Sequence, residues 1–102
     1  MTRRDLVPGA QLDEWLAHHS DWTLVEGHLV REVNTPDYQS GAALVHDQVA
    51  LAEGLDHHAL ITLGYREVRV EVWTHDRGGI TQLDFEYAEG FDTLVERSLE
   101  PG

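Results

Sequence analysis

The regular alternation of side chains over residues 65–74 is the feature that most constrains how this chain can fold. Successive side chains of a strand point to opposite faces, so the alternation predicts a strand with one buried face. The short apolar run over residues 60–64 predicts another strand directly before it. By the same alternation, His75 is predicted to lie on the face opposite the valines. The predicted buried face consists of Val68, Val70 and Val72, and the other face consists of Glu67, Arg69, Glu71 and Trp73.

Residues 22–33 also alternate, with an interruption at Gly27. Two alternating runs that are joined through a glycine-containing turn predict a β-hairpin, which here turns at residues 26–28. His28 would then be a loop residue in contact with solvent.

Residues 11–19 have apolar side chains at helical spacing and predict a first, short helix. Asp13 and Glu14 are expected in its first turn. His18 and His19 fall at its C-terminal end, where the helix dipole favours a cationic imidazole. Capping of the helix is therefore the predicted role of these two histidines.

A second, longer helix is predicted to begin with Thr35 as its N-cap and Pro36 as its first residue. It is expected to run to about Glu53, because Gly54 supplies a stop signal. The residues predicted to form its buried stripe are Tyr38, Ala42, Val45, Val49 and Ala52.

A third helix is predicted from Ile80 onward, because apolar residues again recur at helical spacing. Thr81 and Asp84 resemble a capping box at its start. The tail, residues 98–102, is expected to fray.

The predicted order of elements is therefore α-β-β-α-β-β-α, which lacks the repeated β-α-β units of parallel sheets. This order indicates an α+β fold in which a four-stranded antiparallel sheet carries three helices packed on one face. At 102 residues, the chain is predicted to form one domain, residues 1–102. The other face of the sheet would meet solvent, a ligand or a second subunit, and Trp73 favours one of the last two.

Charge and composition exclude several classes of function. Nineteen acidic residues against seven arginines give a formal net charge of -12, which would repel nucleic-acid phosphates and anionic lipids. The absence of cysteine excludes disulfides, zinc–thiolate sites and a thiol nucleophile. No apolar run approaches the ~18 residues of a membrane span. We therefore expect a cytoplasmic protein with no direct nucleic-acid or membrane partner.

Three histidines fall at predicted junctions between elements: His57 and His58 after the second helix, and His75 after the alternating strand. Adjacent histidines point to different sides, so His57 and His58 do not readily bind one metal ion together. One of them could do so with His75 and an acidic residue. Taken alone, the adjacent pair is equally consistent with polar residues in a loop.

The run Ala52-Glu-Gly-Leu-Asp-His-His-Ala-Leu-Ile-Thr-Leu-Gly-Tyr-Arg-Glu-Val-Arg-Val-Glu-Val-Trp-Thr-His75 resembles the signature of the pterin-4a-carbinolamine dehydratases. That signature is an acid, three residues, His-His-Pro, five or six residues, an aromatic, nine residues, a histidine, eight or more residues and an aspartate. The Asp21-Trp22 and Glu26-Gly27 pairs extend the likeness, which covers roughly residues 12–97. The matching positions are Glu53, His57, His58, Tyr65, His75 and Asp84.

The resemblance implies the dehydration of a 4a-hydroxytetrahydropterin to the quinonoid dihydropterin. One group must protonate the departing oxygen and another must accept the proton of N5, and imidazole, with an ordinary pKa of about 6.5, can do either. The resemblance implies that His57, His58 and His75 surround the pterin, and we expect His58 and His75 to be the proton-transfer pair and His57 to be a positioning partner. No metal or redox cofactor is implied.

The resemblance also implies roles for the other matching residues and a quaternary structure. Glu53, Tyr65 and Asp84 would bind or orient the pterin, although Asp84 is equally well explained as a helix cap. Homodimers or homotetramers are implied, in which the sheet continues from one subunit to the next. The bound small molecule would be a pterin.

Two positions depart from the family pattern: Ala59 replaces the usual proline after the histidine pair, and Ile61 replaces the usual tryptophan. An alternative is therefore a homologue without strong catalysis that acts as a binding or assembly protein, of the dimerisation-cofactor or Rubisco-assembly type. A third interpretation is a metal site that combines His57 or His58 with His75.

Overall fold

The computed structural model describes residues 2–99, and it confirms the predicted α+β fold and its order of elements. Residues 1 and 100–102 lie outside the described residues. Of the tail that was predicted to fray, Ser98 ends the last helix and Leu99 packs against the hydrophobic core, so the prediction is wrong for these two residues. The elements are α1 (Gly9–His18), β1 (Thr23–Val25), β2 (His28–Asn34), α2 (Tyr38–Leu55), β3 (Leu60–Gly64), β4 (Glu67–Val72), a 3₁₀ turn (His75–Arg77) and α3 (Gln82–Ser98).

The four strands form one antiparallel sheet in the order β1-β2-β4-β3. The alternation in β4 is confirmed, since all three of its valines are fully buried on the face that the helices cover. The register places Leu29 of β2 opposite Val72 and Val33 opposite Val68, so both strands bury the same face. The core between sheet and helices also contains Trp22, Leu44, Tyr87, Phe91 and Val95.

The predicted hairpin of β1 and β2 is also present. Its two central residues, Glu26 and Gly27, both have positive φ, at 50° and 80°. A two-residue turn of this handedness matches the twist of the paired strands. The prediction for the neighbouring His28 is wrong, because this residue begins β2 and only 25% of its side chain is exposed.

The ends of α2 differ from those predicted. Its N-cap is Asp37, whose carboxylate accepts the Ser40 backbone N–H at 2.7 Å, while the Thr35 backbone N–H bonds to the Arg66 carbonyl outside the helix. That capping bond to Ser40 lowers the pKa of Asp37. At the other end, Gly54 lies inside the helix, and Asp56 caps it in a left-handed conformation. The helix therefore ends at Leu55, two residues after the predicted end at Glu53, and the loop that follows begins correspondingly later in the chain.

The buried stripe of α2 agrees only in part with the predicted one, since Ala52 is buried and Val45 packs against the core as predicted. Tyr38 and Val49 are 52% and 47% exposed, whereas Gly41, Leu44, Gln48 and Ala52 are buried. A side chain at Gly41 would meet Leu63 at 3.0 Å, so the helix and β3 approach closely there. Glycine and glutamine carry no hydrophobic signal, which is why apolar periodicity alone selected a neighbouring face.

The other two helices begin close to the predicted positions. Helix α1 starts two residues before the predicted range, at Gly9, so Asp13 and Glu14 fall beyond its first turn. At its end, the Nδ1 atoms of His18 and His19 lie 2.9 and 2.7 Å from backbone carbonyl oxygens of the last turn, in agreement with the predicted capping role. Among residues 2–99, no helix is long and apolar enough to cross a membrane.

Candidate active site

A cleft of about 250 Å³ opens where the loop after α2, the end of β4 and the N-terminal segment meet. All three histidines of the predicted catalytic set lie there, because α2 ends at Leu55 and β4 ends at Val72, beside one another at one side of the sheet. The residues that line the cleft are Arg4, Asp56, His57, His58, Thr74, His75 and Asp76.

His57 and Asp84 form a buried pair beneath this cleft. The Nε2 atom of His57 lies 2.6 Å from Oδ1 of Asp84, and the two residues are 7% and 0% exposed. They are 27 positions apart in the chain and meet because α3 begins directly below the loop that carries His57. Sequence spacing predicted both residues for the site, and the structure brings them into direct contact.

The second carboxylate oxygen of Asp84 is held by two further donors. Oδ2 accepts the Thr74 hydroxyl at 2.8 Å and the Thr81 backbone N–H at 2.8 Å. Since the single hydroxyl proton of Thr74 points to Asp84, the Thr81 hydroxyl donates to Thr74 across their 2.8 Å contact. Asp84 is therefore both the capping-box residue of α3, as predicted, and the partner of His57, while its role toward the pterin stays a prediction.

These hydrogen bonds determine the tautomer of His57. A carboxylate only accepts hydrogen bonds, and Oδ1 of Asp84 is the acceptor that faces His57, so the proton of the neutral imidazole lies on Nε2. The lone pair of the ring then lies on Nδ1. Because Asp84 is itself fixed on both oxygens, the ring orientation of His57 is rigidly set.

His58 and Glu53 lie at the solvent side of the cleft. The Nε2 atom of His58 is 3.3 Å from Oε2 of Glu53, and the two side chains are 60% and 69% exposed. An exposed contact of this length contributes little to stability. His58 therefore keeps a freely accessible imidazole next to the fixed ring of His57.

His75 begins the 3₁₀ turn after β4 and is exposed. Its ring stacks on Trp73, with centroids 4.1 Å apart. The two side chains therefore lie on the same face, as the alternation predicts. Between them, Thr74 points inward and is 1% exposed. The strand end thus directs one side chain to Asp84 and the next to the cleft.

Tyr65 is the one predicted site residue that the structure leaves far from the cleft. It lies in the turn between β3 and β4 and is 77% exposed. The five residues of β3 separate this turn from the histidine loop, a span of roughly 17 Å at the rise of an extended strand. The predicted contact of Tyr65 with substrate stays a prediction.

The two departures from the family pattern lie away from the cleft lining. Ala59 and Ile61 are partly buried and pack against the hydrophobic core, and neither lines the cleft. Ile61 pairs with Val70 and shares its buried face. The replacement at position 61 therefore changes core packing and leaves the polar groups of the cleft in place.

Sequence reasoning did not identify Arg4 as a cleft residue. Its guanidinium pairs with Asp76, which holds the pKa of that carboxyl below its usual value. The N-terminal segment is brought there by a backbone hydrogen bond from Val7 to Ile80 at 2.9 Å. A contact between residues 72 positions apart has no local signal, and nothing in the sequence pattern could have found it.

Within residues 2–99, no group of three histidine or acidic side chains converges closely enough to hold a metal ion. The alternative metal site of His57 or His58 with His75 would thus need a ligand from outside the described part of the chain. A four-coordinate zinc site needs at least three protein ligands in most proteins.

Comparison with known proteins agrees with the fold and with the residue pattern. The family model for pterin 4 alpha carbinolamine dehydratase matches residues 5–94. A protein of Chloroflexus aurantiacus with the provisional name pterin-4-alpha-carbinolamine dehydratase is 35% identical over 86 residues, which is 84% of this chain and 92% of the relative. A protein of Natronomonas pharaonis with the same provisional name is 41% identical over 75 residues, 74% of this chain and 82% of the relative.

A solved structure shows the same architecture. The transcriptional coactivator/pterin dehydratase of Brucella melitensis superimposes with a TM-score of 0.83 over 88% of this chain and 98% of that one, at 24% identity. The fold is therefore that of a pterin dehydratase domain. This chain belongs to the pterin 4 alpha carbinolamine dehydratase family.

Proposed function

We propose that the cleft dehydrates a 4a-hydroxytetrahydropterin to the quinonoid dihydropterin. The observation that carries this proposal is the meeting of His57, His58 and His75 at one cleft, with His57 fixed by a buried aspartate. In the reaction, the C4a–O bond breaks and N5 loses its proton, so one proton is delivered and one is removed. The only by-product is water, and no electrons are exchanged with a cofactor.

The exposure of the three rings supports a division of labour. His58 and His75 are exposed and accessible from the cleft, so they can transfer protons to and from substrate and exchange them with solvent. One of the two acts as the acid and the other as the base, and the proposal does not assign which is which. His57 is buried and tied to Asp84, which suits it to bind and orient the pterin through Nδ1.

Glu53 and Tyr65 are proposed as further pterin contacts. Glu53 stands next to His58 and can orient that imidazole. Tyr65 lies at the far turn, so its contact with pterin in the same chain's cleft has no support from the distances.

The test is the decay of chemically generated 4a-hydroxytetrahydropterin in the presence of the protein. We expect amounts of protein far below that of substrate to accelerate formation of the quinonoid dihydropterin, in proportion to protein concentration. His46→Ala is the matched control, because His46 is exposed on α2 and does not line the cleft. If the protein binds pterin but leaves the rate of decay at its spontaneous value, the binding or assembly role replaces the enzymatic one.

We also propose that the chain forms a homodimer or homotetramer. Strand β3 is at one edge of the sheet, and Leu60 on it is 55% exposed. Tyr38 and Val49 of α2 are also exposed apolar side chains. An open strand edge with exposed apolar side chains is a common surface for association.

Substitution of Leu60 by Glu is expected to shift the sedimentation equilibrium at least tenfold toward monomer, because a charge would be buried in the proposed contact. Thr93→Glu, which adds the same charge at an exposed position of α3, should leave the equilibrium unchanged. A protein that sediments as a monomer before any substitution would refute the association.

A further inference from the structure

Three aromatic rings form a continuous stack beside the cleft, on the face of the sheet away from the helices. The rings of His28 and Trp73 are nearly parallel, with centroids 3.7 Å apart and an interplanar angle of 8°. The ring of His75 stacks on Trp73 at 4.1 Å and 28°. The stack ends on one of the histidines that the proposed reaction uses.

The pairing of β2 with β4 explains why these residues meet. Leu29 and Val72 are opposite one another and point into the core. The next pair outward, His28 and Trp73, therefore points to the other face. Thr74 turns inward to Asp84 at 2.8 Å, so the backbone that carries His75 is anchored to the same carboxylate that holds His57.

The outer end of the stack is fixed by a carboxylate. Oε2 of Glu71 accepts from Nδ1 of His28 at 2.6 Å, and Oε1 accepts from Arg69 at 2.5 Å. These hydrogen bonds, the one from His28 first, lower the pKa of Glu71. His28 is thereby held in one orientation, and Trp73 is enclosed between two imidazoles.

His75 depends on this stack for its orientation. Within residues 2–99 its ring makes no hydrogen bond, in contrast to the ring of His57, which is held by Asp84. Stacked aromatic pairs of this geometry are favourable beyond the area they bury. We propose that Trp73, supported by His28, is a positioning residue that holds the His75 imidazole in the orientation needed for proton transfer, an inference that rests on the proposed function.

The first part of the test measures the ring orientation without using activity. Protons held over the face of an indole are shifted upfield, so the His75 ring protons should resonate upfield of the usual histidine range, and His75→Ala identifies them. Trp73→Leu keeps an apolar side chain but removes the ring, and it should return these protons to the usual range. Trp73→Phe keeps a ring face and should retain most of the shift. Unchanged His75 resonances in Trp73→Leu would overturn the proposal.

The second part measures turnover. Because small errors in the placement of a reacting group lower rates strongly, kcat is expected to fall about tenfold in Trp73→Leu with little change in KM, and to recover to within about threefold of the wild type in Trp73→Phe. In a His75→Ala background, Trp73→Leu should cause no further loss, since the group that it positions is gone. A loss of equal size in both backgrounds would show a merely structural role for Trp73 and overturn the proposal.

The two parts separate this inference from the proposed function. If wild-type protein does not accelerate dehydration but the His75 resonances respond to Trp73 as described, the dehydratase proposal fails and the positioning of His75 stands. If turnover is present and the resonances do not respond, the positioning fails and the dehydratase proposal stands.

Discussion

Replacement of Asp84 by asparagine is expected to lower kcat for pterin dehydration about a hundredfold, because it reverses the tautomer of His57. The Thr81 backbone N–H can only donate, so the amide oxygen of Asn must take the place of Oδ2. The amide NH₂ then faces Nε2 of His57, which has to give up its proton and accept. The proton moves to Nδ1, on the side where the lone pair was available to substrate.

The same substitution should also destabilise the fold. Asp84 is fully buried and its carboxyl group takes part in three hydrogen bonds, which the neutral amide of Asn replaces with weaker ones. We expect the free energy of unfolding to fall by about 2 kcal/mol, measured by denaturant titration. The tautomer change is measured separately from the ¹⁵N shifts of the His57 ring.

Thr74→Val serves as the matched variant for this prediction. It removes one donor to Oδ2 and leaves the contact between His57 and Asp84 in place. Stability should fall in this variant as well, but the Nε2–H tautomer of His57 should persist and kcat should change less than in Asp84→Asn. An Asp84→Asn protein with wild-type kcat, or with an unchanged His57 tautomer, would contradict the assigned role of the pair.

The second large effect is expected for His75→Ala, which removes one of the two proposed proton-transfer groups. General acid or base catalysis typically contributes 10²- to 10⁴-fold, so we expect kcat to fall at least about a hundredfold. Since His75 is exposed and its ring contact is the stack on Trp73, the free energy of unfolding should fall by no more than about 1.5 kcal/mol. The loss of activity would therefore not reflect loss of the fold.

Added imidazole offers a sharper test of the same variant. The position vacated in His75→Ala opens to the cleft and to solvent, so free imidazole can enter and partly restore turnover. His46→Ala under identical conditions should show wild-type kcat and no response to imidazole. Wild-type turnover in His75→Ala would contradict a role for His75 in proton transfer. Loss of turnover in a His75→Ala protein that is no longer folded would contradict it as well, because the loss would then follow from the fold.

Much of the fold was predictable because its strongest signals are local. The alternation that buries Val68, Val70 and Val72 identified β4, and Gly27 identified the turn of the first hairpin. The capping box of Thr81 and Asp84 identified the start of α3. In each case, the residues that determine the element are neighbours in the sequence.

The errors have equally definite physical causes. The buried face of α2 includes Gly41, which permits close approach of Leu63, and Gln48, which accepts a hydrogen bond from Tyr87 at 2.7 Å. Neither residue contributes to apolar periodicity, so the predicted stripe included the exposed Tyr38 and Val49 beside the correctly predicted Ala52. His28 was assigned to the turn because its role comes from a partner on another strand, Glu71.

The residues of the site were predicted mainly from their spacing along the sequence. His57, His58, His75 and Asp84 were all selected from the sequence, and they lie at or directly beneath one cleft. Arg4 was not selected, because its position depends on how the N-terminal segment packs against the residues before α3. Long-range packing of this kind has no signature in a single sequence.

The most direct measurement of the central claim compares the wild type with the double variant His58→Ala/His75→Ala in one stopped-flow experiment. Formation of quinonoid dihydropterin from 4a-hydroxytetrahydropterin is followed by absorbance, with His46→Ala as the control. The account predicts acceleration by wild type and His46→Ala, and a rate indistinguishable from spontaneous dehydration in the double variant. Equal acceleration by all three proteins would show that His58 and His75 do not carry the reaction.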